Sequence, residues 1–269
     1  MPGTLRVWFP LGICLIWAIF AVLGPILPLT PDEIQLPFIL EGPGAHTWFG
    51  YDDLGRPVLD RMIMGAQTSF LVAFFVIGIS VAVGTAIGVV SAWLGGWWDL
   101  VIVRIIDIFL AFPGILLAIA LAGILGPGIN NVVIALSIVS WVGYARLARA
   151  QVLSIKERDH VFAAIALGTR PIRIMVRHLL PLIVAPLIIE ATFGVAGVVI
   201  AEAGLSYLGL GVQPPEASWG SMIRDGARYM LVAPHMVLAP SVALMLIVLA
   251  VNLLGDRLRD YLDVRTVRE

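Results

Sequence analysis

Charge is what this chain has least of. Of its 269 residues only 13% are Asp, Glu, Lys or Arg, about half the share of a soluble domain. Meanwhile 60% are hydrophobic and the mean hydropathy is +0.99. That balance excludes an ordinary water-soluble domain and marks an integral membrane protein. There is one cysteine, Cys14, inside an apolar run, so no intrachain disulfide can form. There is one lysine, Lys156, and no Gly-x-x-x-x-Gly-Lys-Ser/Thr loop, so the chain does not cradle nucleotide phosphates in the usual way. No Gly-x-Ser-x-Gly elbow and no His-Glu-x-x-His pair occurs, and Ser206 has the spacing of a turn residue rather than a nucleophile. A net charge of −1 gives no ground for nucleic-acid binding.

What is present is a series of apolar runs. A spanning helix needs about 20 apolar residues, and six stretches qualify, near 7–27, 69–93, 103–125, 132–147, 182–201 and 236–254. The first follows Arg6 and is longer than the usual apolar region of a signal peptide, about 7–15 residues, so it reads as an uncleaved span. Residues 108–145 are uncharged but too long for one helix. The Gly126-Pro127-Gly128-Ile129-Asn130-Asn131 turn divides them. Two polar segments separate other spans, 28–67, rich in Pro, Gly and acidic residues, and 204–234, which contains Pro and Trp. The expected architecture is all-α, with six transmembrane helices. Residues 1–67 form an N-terminal span plus outer segment, 68–255 the main transmembrane domain with a loop at 148–181, and 256–269 a charged tail.

Cation counting sets the orientation. With both ends in the cytoplasm, inside segments carry 13 of the 17 Lys and Arg residues and outside segments only Arg56, Arg61, Arg224 and Arg228, the asymmetry that positive-inside topology requires. In this topology His46 and His235 face away from His160 and His178, which excludes a metal site shared by all four.

Seven of the inside cations sit in one connection: Arg146, Arg149, Lys156, Arg158, Arg170, Arg173 and Arg177. Most helix–helix links are a handful of residues, and this one is long enough to hold two short helices. Asp159 is placed to cap the first, over 161–167, and Gly168 to end it in the left-handed conformation. Thr169 is placed to cap the second, with Pro171 in its first turn. Arg170, Arg173 and Arg177 then share one face, and Ile172, Val176 and Leu179 another. From spacing alone the loop is either a docking element or a basic hairpin that fixes topology. Two carboxylates, Glu190 and Glu202, fall in the fifth span. Each either lines a path or meets a partner subunit, or is a hydrogen-bonded group at a helix interface.

Ala163-Ala164, Gly168 and His178-Leu179-Leu180-Pro181 resemble the loop motif of permease subunits of binding-protein-dependent ABC importers, Glu-Ala-Ala, three residues, Gly, and a closing His-x-Leu-Pro. Phe162 stands where that family often has Glu, an apolar substitute for a polar contact. The 48–56 stretch (Trp-Phe-Gly-Tyr-Asp-Asp-Leu-Gly-Arg) with Arg61, the 201–215 stretch beginning Ala-Glu-Ala-Gly-Leu-Ser-Tyr-Leu-Gly, and 252–260 resemble the C-type subunits of dipeptide, oligopeptide and nickel importers. Pro57 and Asp60 depart from that pattern. The likeness covers residues 38–264.

The resemblance implies a type I ABC importer permease (MetI-like) fold and half of a translocation pore, with no catalytic residues and no cofactor of its own. ATP and magnesium would be held by two ATPase subunits, a homologous B-type permease would complete the pore, and an external binding protein would deliver the cargo. Coupling to the ATPases would fall on Val161, Phe162, Ala163, Ala164, Leu167, Gly168, His178 and Pro181. Binding-protein docking would fall on Asp52, Asp53, Arg56, Arg61 and Trp219. A bacterial or archaeal cytoplasmic membrane is the implied location. Gly78, Gly84, Gly88, Gly194 and Gly197 are candidates for close helix packing. A bulky residue at Gly168, or Arg at Ala164, is expected to uncouple ATP hydrolysis from transport. The rival readings are an ATPase-independent carrier or channel, which the sparse intramembrane charge disfavours, and an intramembrane enzyme, which lacks a nucleophile–base pair here.

Overall fold

A computed structural model describes residues 5–44 and 47–266; His46 and Arg268 lie outside the described residues. Ten helices carry the described chain: α1 (Leu5–Leu23), α2 (Val58–Leu94), α3 (Gly96–Leu110), α4 (Gly114–Leu125), α5 (Ile129–Ile155), α6 (Asp159–Ala166), α7 (Pro171–Ile174), α8 (Leu180–Tyr207), α9 (Trp219–Ala227) and α10 (His235–Thr266). Apolar composition and the scarcity of breakers let these helices outrun the estimated spans. At 1.5 Å per residue, the 37 residues of α2 reach about 55 Å, further than the hydrocarbon core of a bilayer. Five helical stretches are long and apolar enough to cross a membrane.

The sixth crossing is not one helix. The expected span near 103–125 is split at Ala111-Phe112-Pro113 into α3 and α4, bent by 86°. Proline lacks the amide that would continue the ladder of α3 and fixes the preceding residue away from helical geometry. α4 alone, about 18 Å long, does not cross. The pair still runs from one end of the bundle to the other. At its start Asp99 of α3 meets Arg149 near the end of α5, and at its finish the Gly128 amide donates to the Leu210 carbonyl beyond α8.

The most extensive packing is a seam between α2 and α5. A Cβ on Gly84 would collide with the Trp141 carbonyl, and one on Gly88 with the Ala145 carbonyl, so the absence of side chains lets the two backbones touch. Gly194 of α8 similarly makes room for the Tyr144 hydroxyl. Gly78 and Gly197, expected to share that role, have nothing within 4 Å of where a Cβ would stand. The basic loop, the start of α1 and the end of α10 share one face of the bundle. The 27–57 and 208–234 segments share the other.

Candidate functional site

The loop between α5 and α8 is a folded platform. α6 starts at Asp159, ahead of the Val161 that the spacing suggests. Arg158 is its N-cap residue, and Asp159 lies in the first turn without capping; its negative charge there still complements the helix dipole. At the other end Gly168 takes φ +72°, the Gly168 amide donates to Ile165 O (2.9 Å), and the Thr169 amide donates to Ala164 O (3.0 Å). These are the two bonds of a Schellman motif, which needs a left-handed residue at that position. Thr169 does not cap α7. Arg170 takes the N-cap position, because Pro171 holds the residue before it in extended geometry. α7 does not end as a separate short helix either. It passes through a π-turn, Met175–Leu179, straight into α8. The widened turn falls just ahead of Pro181, whose missing amide would interrupt a regular α-ladder.

α6 has two faces with different duties. Val161 and Ala164 are buried and join Val152, Ile155, Ile174 and Leu179 in one apolar cluster that continues to Val89, Ala92 and Leu187 of the spans. Fully burying a valine side chain is worth about 1.5–3 kcal/mol, so this face fixes the helix to its mount. Phe162 (55% exposed), Ile165 and Leu167 (85% exposed) point outward with Ala163 and Gly168. Of the residues expected to serve coupling, Val161 and Ala164 pack inward, so Arg at Ala164 would break the mount. His178 is half-buried in the π-turn, and Pro181 is exposed at the start of α8. Ile172 and Val176 line an apolar hollow against Val81, Ala86 and Val90 of α2, while Leu179, expected beside them, is fully buried.

Two ties escaped sequence reasoning. The Arg149 guanidinium donates twice to the Asp99 carboxylate, both at 2.6 Å, and Ser91 donates to the same group at 2.6 Å, clamping α2, α3 and α5 together. Lys156 donates to the Ala92 carbonyl (3.3 Å), tying the root of the loop to the end of α2. Fifty residues separate Asp99 from Arg149, and no local pattern announces such a pair.

The two intramembrane carboxylates divide. Glu202 is 1% exposed and accepts from Ser206 Oγ (2.7 Å) and Ser69 Oγ (3.1 Å), so it joins α8 to α2 as a satisfied interior group. Glu190 is exposed and borders a cavity.

On the opposite face, the residues expected to meet a binding protein turn out to hold the outer segments together. Asp52, Arg56, Arg61 and Trp219 are all buried. The Asp52 carboxylate accepts from the Leu54 and Arg56 amides and from Arg56 Nε (2.7 Å), with Arg61 Nε at 3.5 Å. Gly55 permits the turn at φ +73°, where a Cβ would strike the Gln35 carbonyl. Arg61 reaches the Pro31 and Pro215 carbonyls, and Trp219 Nε1 donates to the Met62 carbonyl (3.0 Å). These four side chains frame the outer segments from within. Asp53 is half-buried, and burial, reinforced by the neighbouring Asp52 charge and opposed by Arg56, raises its pKa above the usual carboxylate range. Trp48, 84% exposed, stands out on this face instead.

Known proteins resemble this chain in sequence and in fold. The family described as binding-protein-dependent transport system inner membrane component matches residues 84–268, from mid-α2 through the loop to the tail. The dipeptide transport system permease protein DppC of Alkalihalophilus pseudofirmus is 44% identical over 246 residues, 91% of this chain and 81% of that protein. The glutathione transport system permease protein GsiD of Escherichia coli O157:H7 is 44% identical over 222 residues, 82% of this chain and 73% of that protein. A chain from inward-facing conformations of the MetNI methionine ABC transporter superposes with a TM-score of 0.60 at 21% identity, covering 76% of this chain and 95% of that one, and so shares the fold. Together with the six crossings and the mounted loop helix, these matches establish that the chain belongs to the family of inner membrane components of binding-protein-dependent transport systems.

Proposed function

We propose that this subunit is the C-type permease of an ATP-driven importer of di- or oligopeptides or similar molecules, and that α6 is where it receives work from an ATPase. One observation carries the reading: a short helix presents an outward apolar face (Phe162, Ile165, Leu167) while its inner face is fused to a cluster reaching α2, α5 and α8. An exposed apolar face on a firmly mounted helix is explained by a partner that covers it. Because interiors are close-packed and transmit strain, a push on α6 reaches three crossings at once.

The basic face is then cytoplasmic, with both chain ends on that side, in accord with its surplus of Arg. ATP and magnesium belong to two ATPase subunits, and this chain performs no catalysis. A homologous B-type permease completes the pore. A binding protein delivers cargo onto the surface built by the 28–57 and 208–234 segments. The peptide class is supported by the named relatives.

The test is reconstitution of the intact complex with Phe162→Asp or Leu167→Asp. Both variants are expected to keep the spans and abolish ATP-dependent uptake. Coupled uptake at the wild-type rate in both would remove α6 from the mechanism.

A further inference from the structure

One ionisable side chain in the spans has no part in coupling. Glu190 stands close to the midpoint of the 37-residue apolar stretch Pro171–Tyr207, where hydrocarbon is deepest. Its side chain is exposed, and among the described residues no hydrogen bond or ion pair reaches its carboxylate, whereas Glu202 on the same helix is held by two serine hydroxyls. A charge at that depth is tolerated where it faces a water-filled cavity or a charged counterpart.

The cavity is present. Glu190 borders a space of about 750 Å³ between α5, α8 and α10, within the range that holds small ligands, about 300–1,000 Å³. Gly143 of α5 lies beside the carboxylate: a Cβ there would stand in ordinary contact, 3.9 Å from Glu190 Oε1. The other polar walls are Gln151, Ser154, Arg158 and Arg259. Arg158 lies at the root of α6 and Arg259 far along α10, both toward the basic face, while Glu190 lies near mid-membrane. The cavity therefore carries negative charge at its inner end and guanidinium groups toward its mouth.

Building on the peptide-importer reading, we infer that Glu190 is a binding site for the ammonium group of the cargo as it crosses. The charge order suits a zwitterion: the free amino end of a peptide meets Glu190, and its carboxylate faces the Arg158 side of the cavity, toward the exit. A neutral apolar cargo would gain nothing from this pair. A cation on the partner permease, pairing permanently with Glu190, is the competing occupant.

The experiment uses the purified permease–ATPase complex in detergent, without the binding protein, so that selectivity in the membrane part is read alone. Equilibrium dialysis measures radiolabelled alanyl-alanine and N-acetyl-alanyl-alanine on wild type, E190Q and E190D. Wild type is expected to bind the free-amine peptide about tenfold more tightly than the acetylated one, the scale of a paired charge in a partly desolvated site. E190Q is expected to lose that preference and E190D to keep it. Equal binding of both peptides by wild type, binding of neither, or a preference that survives in E190Q overturns the inference. So does an E190Q complex that falls apart while E190D holds, since that outcome places a partner's cation on the carboxylate. ATP-driven uptake by wild-type proteoliposomes with the binding protein present is measured alongside. Its absence defeats the importer reading itself, and its presence with unaltered discrimination defeats only the assignment of Glu190.

Discussion

At the scale of single residues, neighbouring positions in one short helix carry opposite consequences. Phe162 and Leu167 face outward, whereas Val161 and Ala164 are buried in the mount. Phe162→Asp and Leu167→Asp are expected to leave the melting temperature of the purified chain nearly unchanged. Val161→Asp and Ala164→Arg are expected to lower the yield of folded protein, each burying a charge in an apolar cluster at a cost of more than about 3 kcal/mol. Thermal unfolding in detergent separates the two pairs. If all four behaved alike, the two-faced description of α6 would be wrong. On the opposite face, Asp52→Ala is expected to destabilise by about 3–5 kcal/mol, because Arg56 and Arg61 would stay buried without their shared carboxylate. That loss should appear as a lower melting temperature while ATPase binding on the basic face is unaffected.

Helices and their seams were legible in the sequence where composition alone decides them. Uninterrupted apolar runs announced α1, α2, α5, α8 and α10, and Gly168 announced the end of α6 through a conformation that other residues rarely adopt. The break between α3 and α4 was harder to read. Its local signal, Pro113-Gly114, sits inside a long uncharged run whose hydropathy hides it. Nor could spacing tell which glycines meet a neighbour, since Gly78 and Gly84 occupy the same helix and differ only in what lies across from them. The ends of α6 were readable because their signals, Asp159 and Gly168, are local. The buried state of Asp52, Arg56 and Arg61 depends on Pro31, Pro215 and Asp32, distant in the chain. Leu at Gly84 or Gly88 is expected to cost several kcal/mol by forcing α2 off α5, at or above the usual range for overpacking. Leu at Gly78 or Gly197 is expected to leave the isolated chain's melting temperature within a few degrees of wild type.

For the whole molecule, the architecture is a bundle with an apolar cluster leading from an exposed helix into three crossings, locked at its base by Asp99, Arg149 and Lys156. The same cluster packs α6 against α2, α5 and α8 at once. The most direct check is a cross-link in the assembled transporter, with Leu167→Cys in a Cys14→Ala background and a short bifunctional thiol reagent. The account predicts a covalent adduct between this subunit and a nucleotide-hydrolysing subunit. It also predicts that the introduced thiol is protected from a membrane-impermeant reagent added outside sealed cells. Labelling of that thiol from the outside, or no adduct in a complex that still transports, would contradict it.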